Sequence, residues 1–280
     1  KRVLDAFHKY GVTTGDFNGT SGYGYGDIGR DKIEKIYAEV LGCESALVRN
    51  QFVSGTHALT VAFFGILRPG DTLLSISGLP YDTLHNIIGI SGKENIGSLR
   101  EYGVNYKQVD LKDGTFDTEK IIEVLKEDST IKLVHIQRST GYGWRKSFLV
   151  SEIGEIISKI KEVRSDVCVF VDNCYGELID KIEPTDVGAD LVAGSLIKNL
   201  GGGIAPTGGY VAGKAKYVEQ AAYRLTTPGI GGECGSTFGV MRQLYQGLFL
   251  APHIVMEALK GAVFCSRIME IAGFEVLPKY

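Results

Sequence analysis

Apolar and polar positions along this chain follow two periods that alternate from one segment to the next. Apolar residues recurring every three or four positions predict helices over 31–41, 54–67, 82–90, 117–126, 151–163 and 238–272. Short β-branched runs bounded by turns predict strands over 46–49, 72–77, 106–111, 131–137, 167–172, 191–195 and 209–212. The strands lack polar alternation, so both of their faces should be covered. The pattern therefore predicts an α/β fold with a mainly parallel sheet flanked by helices.

Ligands of such sheets bind beyond the carboxyl ends of the strands, and two ionisable residues lie there. Asp172 ends the strand 167–172, and an ionised acid at a buried strand tip needs a cationic or hydrogen-bonding partner. Lys198 follows 26 residues later, beside Ile197 and Leu200. Desolvation there should lower the pKa of the lysine and make its amine nucleophilic toward an aldehyde. The alternatives are a helix-capping or ion-paired Asp172 and a solvated Lys198 in a surface loop.

Two further features follow earlier strands. Ser54, Gly55 and Thr56 open an apolar helix, where backbone N–H groups and hydroxyls can bind a phosphate, although Ser54 could equally be a plain N-cap. Tyr81 follows the strand 72–77 and could stack on a flat cofactor or simply pack at a rim. A phosphate cradle, an aromatic ring, an acid and a lysine, each after its own strand, are the groups that bind pyridoxal 5'-phosphate (PLP).

Three other patterns in the sequence do not predict a binding site. Gly24, Gly26 and Gly29 spell G-x-G-x-x-G, but no predicted strand precedes them, so a dinucleotide site is not expected. The segment 208–214 resembles a P-loop but lacks its Ser or Thr and reads as a strand. The five histidines show no metal-binding spacing, so no metal site is predicted.

Charge and composition narrow the class of protein. A net charge of −3 gives no electrostatic reason to expect nucleic acid or an anionic membrane as partner. No apolar stretch is expected to span a bilayer, and residues 1–12 lack the pattern of a signal peptide. The five cysteines are scattered without a CxxC pair, which favours a reducing, cytoplasmic location.

The motifs also resemble a known family. VFVDNCYGEL, followed by DLVAGSLIKNLGGGIAPTGGYVAG, resembles the Cys/Met-metabolism group of PLP enzymes, and most closely the bacterial methionine gamma-lyase family, also called aluminium resistance protein. SGYGYGDIGRDKIEKIYAEVLG, QFVSGTHAL and GLPYDTL have counterparts there too. The resemblance spans nearly the whole chain. It implies the fold-type-I architecture of PLP-dependent transferases, with a seven-stranded sheet in the large domain.

The resemblance also implies a domain organisation and subunit contacts. Residues 1–30 would be an arm contacting a partner subunit, 31–250 the large PLP-binding domain, and 251–280 a bridging helix and the start of a small C-terminal domain that continues beyond this chain. A homodimer or homotetramer with shared active sites is expected. Tyr25 matches a tyrosine that reaches the neighbouring subunit's phosphate. The arginine that accompanies it in relatives falls at Asp27 here, which leaves Arg30 as an out-of-register candidate.

The remaining roles follow the same resemblance. Lys198 would hold the cofactor covalently, Asp172 would bind its ring nitrogen, and Tyr81 would stack on the ring. The phosphate would bind Ser54, Gly55, Thr56 and Ser195. Gln137 and Arg138, after the strand 131–137, are candidate substrate contacts. The arginine that binds the substrate carboxylate in relatives would lie beyond this chain.

The implied activity is β- or γ-elimination from a sulfur-containing amino acid such as cystathionine or methionine, releasing thiol, ammonia and oxo acid. Lys198 would move the α-proton, and Lys198 or Tyr81 a second proton. The alternatives are a tRNA-dependent selenium transferase-like PLP enzyme and a catalytically silent protein of the same fold. The sequence does not select one sulfur amino acid, and it shows no physical basis for a link to aluminium.

Overall fold

The computed structural model describes residues 1–279, and a seven-stranded sheet lies at its centre. The strands are β1 Ser45–Arg49, β2 Thr72–Ser75, β3 Asn105–Gln108, β4 Ile131–Gln137, β5 Cys168–Asp172, β6 Leu191–Ser195 and β7 Gly209–Gly213. Their order is β1-β7-β6-β5-β4-β2-β3. The pairs from β3 to β6 are parallel, and β7 runs antiparallel to β1 and β6. The predicted mainly parallel α/β fold is confirmed.

Helices cover the sheet at nearly every predicted position. They are α1 Arg2–Lys9, α2 Ile28–Leu41, α3 Gly55–Ile66, α4 Asp82–Ile88, α5 Thr118–Glu127, α6 Val150–Val163, α7 Ala215–Leu225 and α8 Met241–Ile271. Helix α2 begins earlier than predicted because Asp27 Oδ1 accepts the Arg30 backbone N–H at 2.9 Å and caps it. The pattern missed α1 and α7, whose buried stripes are short: Val3 and Ala6 in one, Val218 and two alanines in the other.

Two hydrophobic clusters cover the two faces of the sheet, which explains the absence of polar alternation. Val134 and Val171 pack into one cluster with residues of α2, α6 and α8. Their neighbours Leu133 and Phe170 pack into the other with α3 and α7. Successive strand side chains point to opposite faces, and here both faces are buried. The carboxyl ends of β2, β4, β5 and β6 are thereby held at one rigid edge.

Helix α8 departs from the sequence expectation in one respect. It is long and apolar enough to cross a membrane by length and composition, with a mean hydropathy of 1.5, whereas no such stretch was predicted. Only 17% of that window is buried. A helix that packs against other protein passes the same test, so this feature alone does not indicate a membrane. The predicted domain boundary at 250/251 falls inside α8, which continues through it without a break.

Candidate active site

A cavity of about 680 Å³ lies at the carboxyl edge of the sheet. Its walls come from the start of α3, the start of α4, the loop after β4, the turn after β5 and the loop after β6. The lining residues are Ser54, Gly55, Thr56, Leu59, Tyr81, Thr83, Ser139, Thr140, Gly141, Tyr142, Ser147, Asp172, Cys174, Tyr175, Ser195, Ile197 and Lys198. Seven of the candidate residues from the sequence therefore meet in one cavity.

Asp172 ends β5 with a side chain that is almost completely buried. The residue is 5% exposed, and Oδ1 accepts the Cys174 backbone N–H at 3.1 Å. Burial raises the pKa of the carboxyl group, while the Cys174 amide and the positive charge of Lys198 partly oppose that rise. A buried carboxylate with so little compensation favours a further cationic partner in the cavity.

Lys198 enters the cavity from the loop after β6 and contacts an aromatic ring. Its Nζ lies 4.2 Å from the centre of the Tyr175 ring. Desolvation acts to lower the pKa of the amine, but Cys174, Tyr175 and Asp172 outweigh it, and the pKa is raised. The sequence expectation of a lowered pKa was therefore wrong for this chain. The flanking apolar residues were counted, but Cys174 and Tyr175 in the turn after β5 were not.

The predicted phosphate cradle lies at the N-terminus of α3. Ser54 Oγ accepts the His57 backbone N–H at 3.1 Å, so Ser54 is an N-cap as well as a cavity residue. A Cβ atom on Gly55 would lie 3.0 Å from Ser195 Cβ and 3.3 Å from Cys174 Sγ. Only glycine lets the helix N-terminus approach the loop after β6 this closely.

Tyr81 is fixed by hydrogen bonds at both ends. Its backbone N–H donates to Gln137 Oε1 at 2.6 Å, and its hydroxyl donates to the Tyr142 hydroxyl at 3.2 Å. The rings of Tyr81 and Tyr142 are stacked, with centroids 5.4 Å apart at 29°. The bond to Tyr142 raises the pKa of Tyr81 to about 12. At neutral pH Tyr81 is therefore a neutral phenol that can donate a proton in a hydrogen bond.

Gln137 and Arg138 do not line the cavity, in contrast to the sequence expectation. Gln137 is 4% exposed and uses its amide on the Tyr81 N–H and the Ser139 carbonyl. Arg138 is 3% exposed, and its guanidinium is directed below the turn after β5. It donates to the Phe148 and Gly176 carbonyls, Asn173 Oδ1 and Asp180 Oδ2. Both residues support the cavity wall instead of reaching a substrate.

Arg30 is likewise structural in this chain. Its Nε and Nη2 donate to Asp31 Oδ1 at 3.0 and 2.8 Å, and Nη2 also donates to the Glu233 carbonyl at 3.2 Å. Nη1 donates to the Gly24 and Gly235 carbonyls at 2.5 and 3.0 Å. These bonds occupy all five N–H donors of the guanidinium. Its candidate role as a phosphate ligand is therefore wrong, since no donor is left for that group.

Tyr25 lies outside the cavity of its own chain. The residue is 57% exposed, and its ring contacts Tyr23 with centroids 5.9 Å apart. An exposed tyrosine away from its own site is compatible with a contact to a neighbouring subunit, which stays a prediction.

The sequence analysis missed four residues at or beside the cavity: Cys174, Tyr175, Glu177 and Tyr142. Three of them follow Asp172 directly in the VDNCYGE segment, so the motif itself carried the signal. Glu177 is 0% exposed, and its Oε1 accepts the Tyr210 hydroxyl at 2.7 Å. Its Oε2 has no hydrogen-bond partner among residues 1–279. Burial raises the pKa of Glu177 to about 8, so this acid is mostly protonated at neutral pH.

Comparison with known proteins gives one family. The sequence model described as methionine gamma-lyase matches residues 1–280. Uncharacterized protein YnbB of Bacillus subtilis (strain 168) is 53% identical over 280 residues, which are 100% of this chain and 66% of that protein.

Solved structures agree with that match. A carbon-sulfur lyase involved in aluminum resistance from Clostridium novyi NT has a TM-score of 0.97 and 63% identity, covering 100% of this chain and 66% of that one. The PLP-dependent protein YhfS from Escherichia coli shares the fold, with a TM-score of 0.67 and 19% identity over 94% of this chain and 64% of that one. The chain thus spans about two thirds of the length of these relatives.

Proposed function

The chain belongs to the methionine gamma-lyase family, and we propose that it is the greater part of a PLP-dependent carbon-sulfur lyase. The substrate would be a sulfur-containing amino acid such as cystathionine or methionine, cleaved by β- or γ-elimination into a thiol, ammonia and an oxo acid. One observation carries the proposal: Asp172, Lys198 and the N-terminus of α3 line a single cavity. These are the groups that a phosphorylated pyridine aldehyde requires.

Pyridoxal 5'-phosphate is the cofactor that the family and the fold imply, and the side chains present fit it. The N–H groups and hydroxyls at Gly55, Thr56 and Ser195 suit a phosphate dianion at a helix N-terminus. A Cβ atom on Gly55 would lie 3.0 Å from Ser195 Cβ, so the start of α3 and the loop after β6 lie close together on that side. The buried carboxylate of Asp172, bonded to Cys174, suits a protonated ring nitrogen.

When bound, this cofactor supplies an aldehyde that reacts with amines and a ring that stabilises negative charge at the α-carbon of an amino acid. The chain's own residues would do the rest. Lys198 would hold the cofactor covalently and, once free, carry the proton of the α-carbon. Asp172 would keep the ring nitrogen protonated. Tyr81 would stack on the ring, and its neutral hydroxyl or Lys198 would move the second proton that γ-elimination needs.

We extend the proposal to assembly and location. A homodimer, or a homotetramer built from it, would let Tyr25 of one subunit reach the phosphate of the other, and the exposure of Tyr25 supports this. Five free cysteines support a cytoplasmic location. Sedimentation of the active protein tests the assembly, since turnover by a monomer contradicts the shared site.

The test of function is a covalent map followed by a substrate screen. The purified protein is incubated with PLP, reduced with borohydride and digested. We expect an imine absorbance band that reduction removes, a pyridoxyl mass on the Lys198 peptide, and release of oxo acid from a sulfur amino acid. Lys198→Ala should abolish both the pyridoxyl mass and turnover. A protein that stays colourless with PLP, or a Lys198→Ala variant with substantial elimination, contradicts the proposal.

A further inference from the structure

The turn after β5 places Tyr175 in a backbone conformation that tyrosine rarely adopts. Its φ is +65°, in the left-handed region that favours glycine, and Leu178 has a φ of +62°. Such strain persists where surrounding contacts over-determine it, and it clusters at functional sites. The strained conformation of this turn therefore indicates a functional role for the Tyr175 side chain.

Contacts on both sides of Tyr175 hold the turn in place. Cys174 before it is 5% exposed, and its backbone N–H is bonded to Asp172. After it, a Cβ atom on Gly176 would lie 2.5 Å from Arg138 Cδ and 2.7 Å from Asn173 Oδ1, so the backbone is packed onto the buried arginine. The turn cannot relax without disturbing these contacts, and Tyr175 is presented to the cavity at a fixed angle.

The Tyr175 ring is not presented for burial. The residue is 58% exposed, whereas hydrophobic packing would have covered it. Its ring faces the Lys198 ammonium group, whose Nζ lies 4.2 Å from the ring centre. That separation lies within the range in which a cation is attracted to the face of an aromatic ring.

We infer that Tyr175 is a positioning residue that holds the Lys198 amine against the cavity wall whenever that amine is free. The inference rests on the role of Lys198 in the proposed function. A lysine side chain is a flexible stem with a compact charge, and it needs a partner to keep one position. The face of a rigidly placed ring supplies this partner without a second acid, which would compete with Asp172. The contact also favours the charged form of Lys198, so it adds to the raised pKa of the amine.

The test measures the titration of Lys198 in cofactor-free protein. An amine-selective reagent is applied across a pH range, and the Lys198 peptide is quantified by mass. Tyr175→Phe loses the charge of the phenol group but keeps the ring face, so it is the reference for the ring itself. Tyr175→Leu also removes the aromatic face, and its midpoint should fall about half a pH unit below that of Tyr175→Phe, which raises labelling below the midpoint about two- to fivefold. Tyr175→Gly, which adopts positive φ without strain, should show the same shift and covers the case in which leucine disturbs the turn.

A matched pair elsewhere in the chain gives an internal control. Lys216 Nζ lies 4.5 Å from the centre of the Tyr217 ring, so its peptide should titrate identically in all variants. The direction of the midpoint shift is compared, because added exposure alone relieves desolvation and would raise the midpoint, whereas loss of the ring face lowers it. A midpoint unchanged in Tyr175→Leu and Tyr175→Gly, or shifted equally in Tyr175→Phe, overturns the inference.

The two proposals fail in different ways. Each variant is also incubated with PLP, reduced and mapped. If the natural protein carries no pyridoxyl mass on Lys198, the proposed function fails, whatever the titration shows. If the pyridoxyl mass is present throughout and the titration curves coincide, only the role of Tyr175 fails.

Discussion

Replacing Glu177 with glutamine should remove a pH dependence from the stability of the fold. The carboxyl group is fully buried, its Oε1 accepts the Tyr210 hydroxyl at 2.7 Å, and burial raises its pKa from 4.5 to about 8. The folded chain therefore keeps this proton up to about pH 8, whereas the unfolded chain releases it above about pH 4.5. The stabilisation that comes from this bound proton is fully present below about pH 4.5 and is lost as the pH rises toward about 8.

The magnitude follows from proton linkage. Within that window the loss approaches about 1.4 kcal/mol for each pH unit, because one more proton is bound in the folded state than in the unfolded state. As the pH rises from about 5.5 to 7.5, the contribution of Glu177 should therefore lower the free energy of unfolding by about 2–3 kcal/mol. Glutamine has nearly the same shape, stays neutral and can still accept the Tyr210 hydroxyl. Glu177→Gln should match the natural protein below about pH 4.5, and its advantage in stability should grow by about 2–3 kcal/mol between about pH 5.5 and 7.5.

Urea unfolding of cofactor-free protein, followed by circular dichroism at three pH values, measures this difference. Other titrating groups contribute to both proteins and cancel in the comparison. Glu155→Gln, an exposed carboxyl group on α6, is the matched control and should run parallel to the natural protein. If the curves of Glu177→Gln and the natural protein are parallel between about pH 5.5 and 7.5, Glu177 is not a protonated buried acid and the reasoning is refuted.

Two further substitutions test the phosphate cradle and the reassigned arginine. Gly55→Ala places a Cβ 3.0 Å from Ser195 Cβ; overpacking of this size should weaken PLP affinity about tenfold in a titration followed by absorbance. Gly261→Ala, with no atom within 4 Å, is its control and should bind PLP normally. Arg30→Lys loses the planar five-donor guanidinium and should lower the free energy of unfolding by about 2 kcal/mol, with PLP affinity unchanged. Weakened PLP binding in a stably folded variant would instead indicate that Arg30 is a cofactor ligand.

Local chemistry made several elements predictable. The strands 131–137 and 191–195 were predicted to the residue, because buried parallel strands are runs of β-branched and apolar side chains between turns. Helix α3 was placed correctly through its N-cap, Ser54. The positions of Asp172 and Lys198 in one cavity followed from topology, since β5 and β6 are parallel neighbours whose carboxyl ends coincide.

The failures at the candidate site involve partners that are distant in the chain. Arg30 was misassigned because two of its acceptors, the carbonyls of Glu233 and Gly235, lie about 200 residues further along. The raised pKa of Lys198 depends on Cys174, which lies in the turn after a different strand, β5. Glu177 reads as an ordinary charged residue in the sequence, and only the packing of Tyr210 against it shows that it is buried. Spacing alone does not encode these contacts.

Three buried acids lie at the end of β5 and in the segment that follows it, and their different partners decide which of them is charged toward the cavity. Glu183 accepts the Leu178 N–H at 2.8 Å and the Asn173 amide at 3.0 Å, and its Oε2 lies 3.8 Å from Arg138 Nη1, so an arginine compensates it. Glu177 holds a proton instead. Asp172 is then the acid whose charge faces the cavity, opposite Lys198. A second negative charge at Glu177 would raise the pKa of Asp172 further and weaken its hold on a protonated ring nitrogen. The neutrality of Glu177 and the arginine beneath Glu183 are therefore conditions for the function proposed for Asp172.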